Sequence, residues 1–167
     1  VLDMFPVDRR YLNNSHFVEK KEFANQFEQR AVDKIILEDS DPSYRVLDLS
    51  VHTFNDSHPS YWHKCIGGYS PTKLQRYQDL IDRYISSEMR LVATVVNREK
   101  TVRGVEENFP DTPVLDMLNT RYVIVDDSFP PITNFNACGN CWFVNGVVEA
   151  SSADEEIALL GGTDPRE

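Results

Sequence analysis

The sequence predicts an α+β fold, a single domain in which a small mixed β-sheet of about three to four strands packs with about four helices. Segments with the helical period and segments with the strand period follow one another in mixed order along the chain. The 167 residues are 41% hydrophobic and 11% aromatic, which is enough to bury a core in one domain. Residues 1–18 lack a clean period, so we expect an extended N-terminal arm there and the domain over 19–167.

The first helix is predicted over 27–39, the segment FEQRAVDKIILED. Its apolar side chains recur at helical spacing: Ala31, Val32, Ile35 and Ile36. Asp41 precedes Pro42, and the residue before a proline avoids the α region. We therefore expect this helix to end there.

A strand is predicted over 44–51, because polar and apolar residues alternate in YRVLDLSV as they do in a half-buried strand. A long polar loop follows over 52–70. Ser70 and Pro71 have the residue types of a helix N-cap and first turn, so the next helix is predicted from Pro71 to about Ser87. Residues 88–100 fit either a continued helix or a strand, and residues 98–113 have the composition of a loop.

The last third of the chain alternates helix and strand signals. A short helix is predicted over 113–119, a strand over 120–127, a turn-rich connection over 127–140 and a strand over 141–150. Ser152 with Glu155 has the pattern of a capping box, which predicts a final helix over 152–160. Asp126 and Asp127 follow the second strand, where carboxylates serve either a site or a solvated turn.

The acidic composition excludes some classes of partner. The formal net charge is -10, and no cluster of Lys and Arg offsets it, so we expect no binding to nucleic acid. No run of about 18 apolar residues is present, and no signal peptide is visible. The chain starts at Val1 and stops at TDPRE, so we expect an excised piece of a longer protein. Nothing in the sequence predicts a cofactor.

Cys138 and Cys141 form a CxxC motif, which has three interpretations. A redox motif needs its first cysteine at a helix N-terminus, whereas the residues after Cys141 favour a strand. A zinc site needs four ligands, and Cys65 and His63 are the only partners that the sequence suggests for the pair. The simplest interpretation is a turn at Gly139 that leaves two small, partly buried side chains.

The polar loop is the other candidate site, because long loops often carry function. Its aromatic residues suit stacking on a sugar ring, and its polar side chains suit hydrogen bonds to hydroxyl groups. The candidate ligand-binding residues are Asn55, Asp56, Tyr61, Trp62, His63, Gly67, Gly68 and Tyr69. The alternative, which we favour, is that the aromatic residues pin the loop to the core.

Several phrases together resemble the YfhO family of polytopic bacterial membrane proteins. They are PVDRRYLN, DPSYRVLDLSVHTFND, YWHKCIGGYSPTKLQRYQDLID, VLDMLNTRYVIV and ACGNCWFV, in family order over residues 4–160. The family phrase at the last position reads roughly Asn-x-x-Ala-Leu-Gly-Asn-Ala-Trp-Phe-Val. Cys138 therefore stands where the family has Leu, and Cys141 where it has Ala, which implies core-compatible substitutions and not a family catalytic device. In an oxidising space, the pair could still close as a disulfide.

The resemblance implies a setting more than a reaction. YfhO proteins look like membrane glycosyltransferases of the GT-C type, and this chain is similar to the soluble domain on their outer face. Residues 1–18 would leave the bilayer, and the partners would be the membrane-spanning part of the same chain and a glycan or lipid-linked sugar acceptor. We therefore expect an extracytoplasmic accessory domain that is not itself an enzyme. The alternatives are a secreted carbohydrate-binding module and a thiol or zinc protein that uses Cys138 and Cys141.

Overall fold

A three-stranded mixed sheet lies at the centre of the computed structural model, which describes residues 4–166. Its strands are β1 (Arg45–Asp48), β2 (Thr120–Ile124) and β3 (Ile132–Thr133), in the order β1-β2-β3. β1 and β2 are parallel, and β3 is antiparallel to β2. The predicted small mixed α+β fold is confirmed.

Eight α-helices lie within residues 4–166. They are α1 (Phe5–Tyr11), α2 (Lys20–Asn25), α3 (Ala31–Ile36), α4 (Gln75–Leu80), α5 (Ser86–Arg98), α6 (Val102–Glu107), α7 (Pro113–Met117) and α8 (Ala153–Leu160). A π-helical turn, Ile81–Ile85, joins α4 to α5, so the two form one continuous helix. Short 3₁₀ turns lie at Asn14–His16 and His58–Tyr61.

Helices cover both faces of the sheet. On one face, Val32 and Ile36 of α3 pack with Tyr44, Val46 and Ile124. On the other face, the crossover from β1 to β2 supplies the larger core, which includes Leu47, Ile81, Ile85, Val92, Val105, Val114, Leu115 and Val123. The prediction that 44–51 forms a half-buried strand is therefore wrong, because parallel strands joined by a helical crossover are buried on both faces.

The free edge of β1 is also covered. The amide of Val46 donates to the carbonyl of Lys64 at 2.8 Å, and the amide of Ile66 donates to the carbonyl of Val46 at 3.0 Å. The end of the polar loop thus runs along β1 like a short extra strand. This pairing fixes the loop relative to the sheet.

Four helical predictions differ from the structure. The helix predicted over 27–39 spans only Ala31–Ile36. The arm over 1–18 is helical at Phe5–Tyr11, where Pro6 occupies the first turn and presets the helical φ angle. The helix predicted from Pro71 begins at Gln75, because Ser70 provides no cap. The predicted loop over 98–113 contains α6, whose start is capped by Thr101 through its hydroxyl and the amide of Gly104 at 3.1 Å.

The predictions for the last third of the chain are confirmed in part. β2, α7 and α8 lie where the sequence predicts them, and the Ser152 hydroxyl accepts from the amide of Glu155 at 3.2 Å. Residues 141–150 form no strand, although their side chains favour one. Strand propensity acts through cross-strand partners, and this segment has none within residues 4–166. The sheet takes its third strand from the predicted connection instead.

Candidate ligand-binding site at the carboxyl edge of the sheet

The carboxyl ends of the parallel strands β1 and β2 meet at one edge of the sheet. Ligands of open α/β sheets bind outside this edge. Residues 49–69, which we call the edge loop, follow β1 and contain the predicted ligand-binding residues.

Arg30, at the start of α3, is bound by acidic side chains from three parts of the chain. Its Nε and Nη2 atoms donate to the two oxygens of Asp33, each at 2.9 Å, and Nη2 also donates to Asp48 at 2.7 Å. Its Nη1 atom donates to Ser50 at 3.1 Å and to Asp127 at 2.9 Å. A guanidinium has five N–H groups, so every one of them has a partner.

Asp33 links this arginine to the edge loop. Its Oδ1 atom lies 3.0 Å from Nε2 of His63, and both side chains are fully buried. Burial acts to raise the pKa of Asp33, but hydrogen bonds from the side chain and backbone of Arg30 and from His63 outweigh it and hold the pKa below its usual value. Burial likewise acts to lower the pKa of Arg30, and its bonds to Asp33 and Asp48 raise it overall. Arg30 and Asp33 therefore both stay charged at neutral pH.

Arg30, Asp33, Asp48 and His63, which we call the ionic cluster, hold the edge loop in place. The cluster ties α3, the end of β1, the edge loop and the segment after β2 to one guanidinium. Its only hydrogen-bonding atom without a partner in the described chain is Nδ1 of His63. With its donors taken and its carboxylates buried, the cluster positions the site and does not itself face a ligand.

Most of the predicted ligand-binding residues have structural roles. Asp56 accepts from the amide of His58 at 2.8 Å, which closes a turn. A side chain at Gly67 would place Cβ 1.8 Å from the carbonyl oxygen of Thr53, and Gly68 has a φ of 120° that favours glycine. His63 belongs to the ionic cluster. These residues shape the loop.

The aromatic residues of the edge loop differ in their contacts and exposure. Tyr61 packs on Phe27, with ring centroids 4.4 Å apart. The indole nitrogen of Trp62 is buried, with no hydrogen-bond partner among the described residues. Tyr69 is 64% exposed, and Asn55 is also exposed. Tyr61 is 57% exposed despite its contact with Phe27, so Asn55, Tyr61 and Tyr69 are the predicted residues that are open to a ligand.

A groove of about 480 Å³ separates the start of the edge loop from α5, and we call it the α5 groove. The loop contributes Leu49, Val51, His52, Thr53, Phe54 and Asn55, and α5 contributes Ser86, Met89, Arg90 and Ala93. The volume lies within the range of about 300–1,000 Å³ that is usual for small-molecule sites. Asn55 is the predicted ligand-binding residue that lines it.

The cysteines do not form a reactive or metal-binding group. Burial raises the pKa of Cys65 to about 11 and also raises the pKa of Cys138. Cys65, Cys138 and the exposed Cys141 are all free thiols. Within residues 4–166 no group of three or more His, Cys, Asp or Glu side chains is placed to hold a metal ion, so the structure does not assemble His63 with the three cysteines.

Two further buried carboxylates lie beside α7. Glu88 of α5 accepts from the amides of Val114 at 3.0 Å and Leu115 at 2.8 Å, which caps the start of α7. Asp116 accepts from the side chain of Asn134 at 2.8 Å, while its Oδ2 atom has no partner in the described part of the chain. Burial raises the pKa of both groups despite these hydrogen bonds. They brace α7 against the long helix and the segment after β3.

The sequence prediction missed Arg30, Asp33, Asp48 and Arg90. A signal existed for two of them. Asp33 lies in the buried stripe of α3 between Val32 and Ile36, and Asp48 shares a strand face with Val46. An acidic residue on a face that is otherwise buried implies a cationic partner.

No protein-family model, curated protein or solved structure matches this chain. Among residues 4–166 no helix has the length and apolar character that crossing a membrane requires.

Proposed function

We propose that the chain is an extracytoplasmic accessory domain of a YfhO-like membrane protein. In this proposal the N-terminal arm packs against the membrane-spanning part, and the edge loop holds a glycan or lipid-linked sugar near it. The order and extent of the YfhO-like phrases support the proposal. The main structural observation behind it is the apolar surface of the arm.

The N-terminal arm and the following α2 have apolar side chains that lie outside the core. Six large apolar side chains of α1, α2 and the intervening segment are between 55% and 79% exposed: Met4, Phe5, Tyr11, Leu12, Phe17 and Phe23. Neither α1 nor α2 contains a buried residue. A cluster of exposed apolar side chains of this size is typical of an interface with protein or lipid.

The segment that carries these apolar side chains is neutral, because the four basic residues of 1–25 are balanced by four acidic ones, Asp3, Asp8, Glu19 and Glu22. Arg9 and Arg10 lie in α1, and Lys20 and Lys21 begin α2. Elsewhere the chain is strongly acidic, since its net charge is -10. An apolar surface without net negative charge suits the interface of a bilayer better than the acidic remainder of the chain does. This contrast supports placement of the arm at the membrane.

Flotation with lipid vesicles tests the proposal. We expect the chain to co-float with vesicles of phosphatidylcholine and phosphatidylglycerol. The variant F5S/L12S/F17S should stay at the bottom of the gradient. The matched control F143S/V147S/V148S removes equally exposed apolar side chains from another part of the surface and should still float. A wild-type chain that never floats, or a control that loses flotation equally, contradicts the proposal.

The gene itself provides a second test. Several spans of about 20 apolar residues upstream of Val1 would support the proposal. A signal peptide with no span on either side would favour the second candidate, a secreted carbohydrate-binding module. The α5 groove and the exposed Tyr69 are the observations that favour this candidate.

A thiol enzyme is not proposed. Reactive cysteines have a lowered pKa, usually at a helix N-terminus or beside a cation. The pKa of Cys138 is raised, and no helix begins between Cys141 and Ser152. The CxxC therefore lacks the surroundings that make a thiolate.

A further inference from the structure

We propose that the α5 groove binds an anionic sugar unit, a sugar ring that carries a carboxylate or phosphate group. That the ligand is a sugar rests on the proposed function. The prediction that the ligand is anionic rests on the side chains that line and flank the groove.

One face of α5 forms a wall of the groove. Ser86, Met89, Arg90 and Ala93 lie at the i, i+3, i+4 and i+7 positions, which share a helix face. The π-helical turn Ile81–Ile85 ends immediately before Ser86. An inserted π turn changes the direction of the side chains that follow it, and such turns occur frequently at functional sites. This turn sets the face that α5 presents to the edge loop.

The groove is free of acidic side chains in a strongly acidic protein. None of its ten lining residues is Asp or Glu, although the chain contains 27 of them. Three carboxylates are adjacent in sequence to lining residues. Asp48 is held by Arg30 at 2.7 Å. Glu88 accepts from the amides of Val114 and Leu115. Asp56, beside Asn55, accepts from the amide of His58. An anion in the groove would therefore meet no free carboxylate on its walls.

Two cationic side chains lie at the groove instead, Arg90 on its wall and Lys73 beside the lining residue Phe54. Arg90 donates through Nε to the carbonyl of Ser86 at 3.0 Å, and its two terminal nitrogens make no hydrogen bond or ion pair with residues 4–166. Lys73 places Nζ 5.1 Å from the ring centroid of Phe54, a lining residue. His52 adds an imidazole. The free edge of a guanidinium binds carboxylate or phosphate through paired hydrogen bonds.

The remaining lining residues suit the body of a sugar. Phe54 and Met89 provide apolar surface for the C–H face of the ring. Asn55 and Ser86 provide an amide and a hydroxyl for sugar hydroxyl groups. Apolar walls with a few convergent polar groups are typical of a small-molecule site.

Titration of the ¹⁵N-labelled chain with glucuronate, glucose 6-phosphate and glucose tests the proposal at low salt. We expect the two anions to shift the amide signals of Thr53, Asn55 and Ala93, and glucose to bind at least about tenfold more weakly. R90Q should weaken anion binding about tenfold. R98Q, the matched control, removes an exposed arginine from the end of the same helix and should change the affinity less than about twofold.

Each result has a distinct meaning. Loss of affinity in R90Q but not in R98Q supports the site, and a response to only one anion identifies its charged group as carboxylate or phosphate. Equal loss in both variants overturns the proposal, because it indicates a general effect of charge. Glucose binding as tightly as the anions overturns the anionic class but leaves a glycan role intact. No shift with any of the three overturns the site, while flotation still tests the proposed function separately.

Discussion

Nε2 of His63 lies 3.0 Å from Oδ1 of Asp33, and neither side chain is exposed to solvent. This contact joins the edge loop to α3, and through Arg30 to the ends of β1 and β2. The ion pair of Arg30 and Asp33 adds little net stability by itself, but loss of one partner leaves buried hydrogen-bonding groups unsatisfied. The ionic cluster is therefore the point at which the edge of the sheet is most sensitive to substitution.

Replacement of Asp33 by Asn should lower the free energy of unfolding by about 1–3 kcal/mol. The variant replaces the buried carboxylate that accepts from Arg30 and His63 by a neutral amide, while Asp48 still neutralises the guanidinium. Urea denaturation measures the loss. Asp127→Asn is the matched control, because Asp127 binds the same guanidinium with a side chain that is 64% exposed, and it should cost less than about 1 kcal/mol. Equal losses in the two variants would contradict the role of burial.

Stability should increase as the pH falls from 7 towards about 4, the ordinary range of carboxyl pKa values. Burial raises the pKa of Asp116 and of Glu88 in the folded state, so each binds a proton more readily when folded. The stability from this binding is complete below the unfolded pKa and is lost as the pH rises through the folded pKa.

The matched variant for this pH dependence is Asp116→Asn, which removes one of the two buried carboxyl groups that take up a proton. Its unfolding free energy should vary less steeply between pH 4 and 7, by up to about 1.4 kcal/mol per pH unit. Urea denaturation at several pH values gives both slopes. If the wild-type and variant slopes coincide, Asp116 does not take up a proton in this range.

Gly67→Ala should displace the start of the edge loop. The added Cβ would lie 1.8 Å from the carbonyl oxygen of Thr53, which is backbone and cannot rotate away. We expect a loss of about 1–3 kcal/mol in unfolding free energy, with large changes in the amide signals of Thr53 and Asn55. Gly146→Ala, where a new Cβ meets nothing within 4 Å, should change neither. A Gly67→Ala variant with wild-type signals would mean that the loop adapts freely.

Replacement of Cys138 by Leu together with Cys141 by Ala should leave the fold intact. Neither thiol forms a disulfide, Cys138 is half-buried and Cys141 is exposed. The change in unfolding free energy should stay within about 0.5 kcal/mol, as is usual for surface substitutions. Thermal denaturation checks this, and a large fall in the midpoint would show that the CxxC supports the structure.

Local signals account for the parts of the fold that the sequence predicts well. Pro113 in the first turn of α7, the β-rich run of β2 and the Ser152 cap of α8 each act within a few residues of their element. The segment 141–150 was predicted wrongly for the opposite reason. A strand depends on a partner elsewhere in the chain, and its own residue types do not supply one.

The candidate site depends on distant residues in the same way. Arg30 reaches Asp48 across 18 positions and Asp127 across 97. The sequence predicted the edge loop as a candidate site, since its polar and aromatic residues are contiguous. It did not predict Arg90 as a wall of the groove, because only the crossover brings α5 beside that loop.

The parallel pairing of β1 with β2 has a consequence for synthesis of the chain. Arg45 pairs with Thr120, so β1 leaves the ribosome long before its partner strand exists. At about 5–20 residues per second, the interval is roughly 4 to 15 s. During this interval Val46 and Leu47 lack the neighbouring strand that covers them. Both are fully buried in the finished fold. The nascent chain therefore passes through an aggregation-prone stage that a chaperone would be expected to bind, and its yield should depend on the rate of translation between these strands.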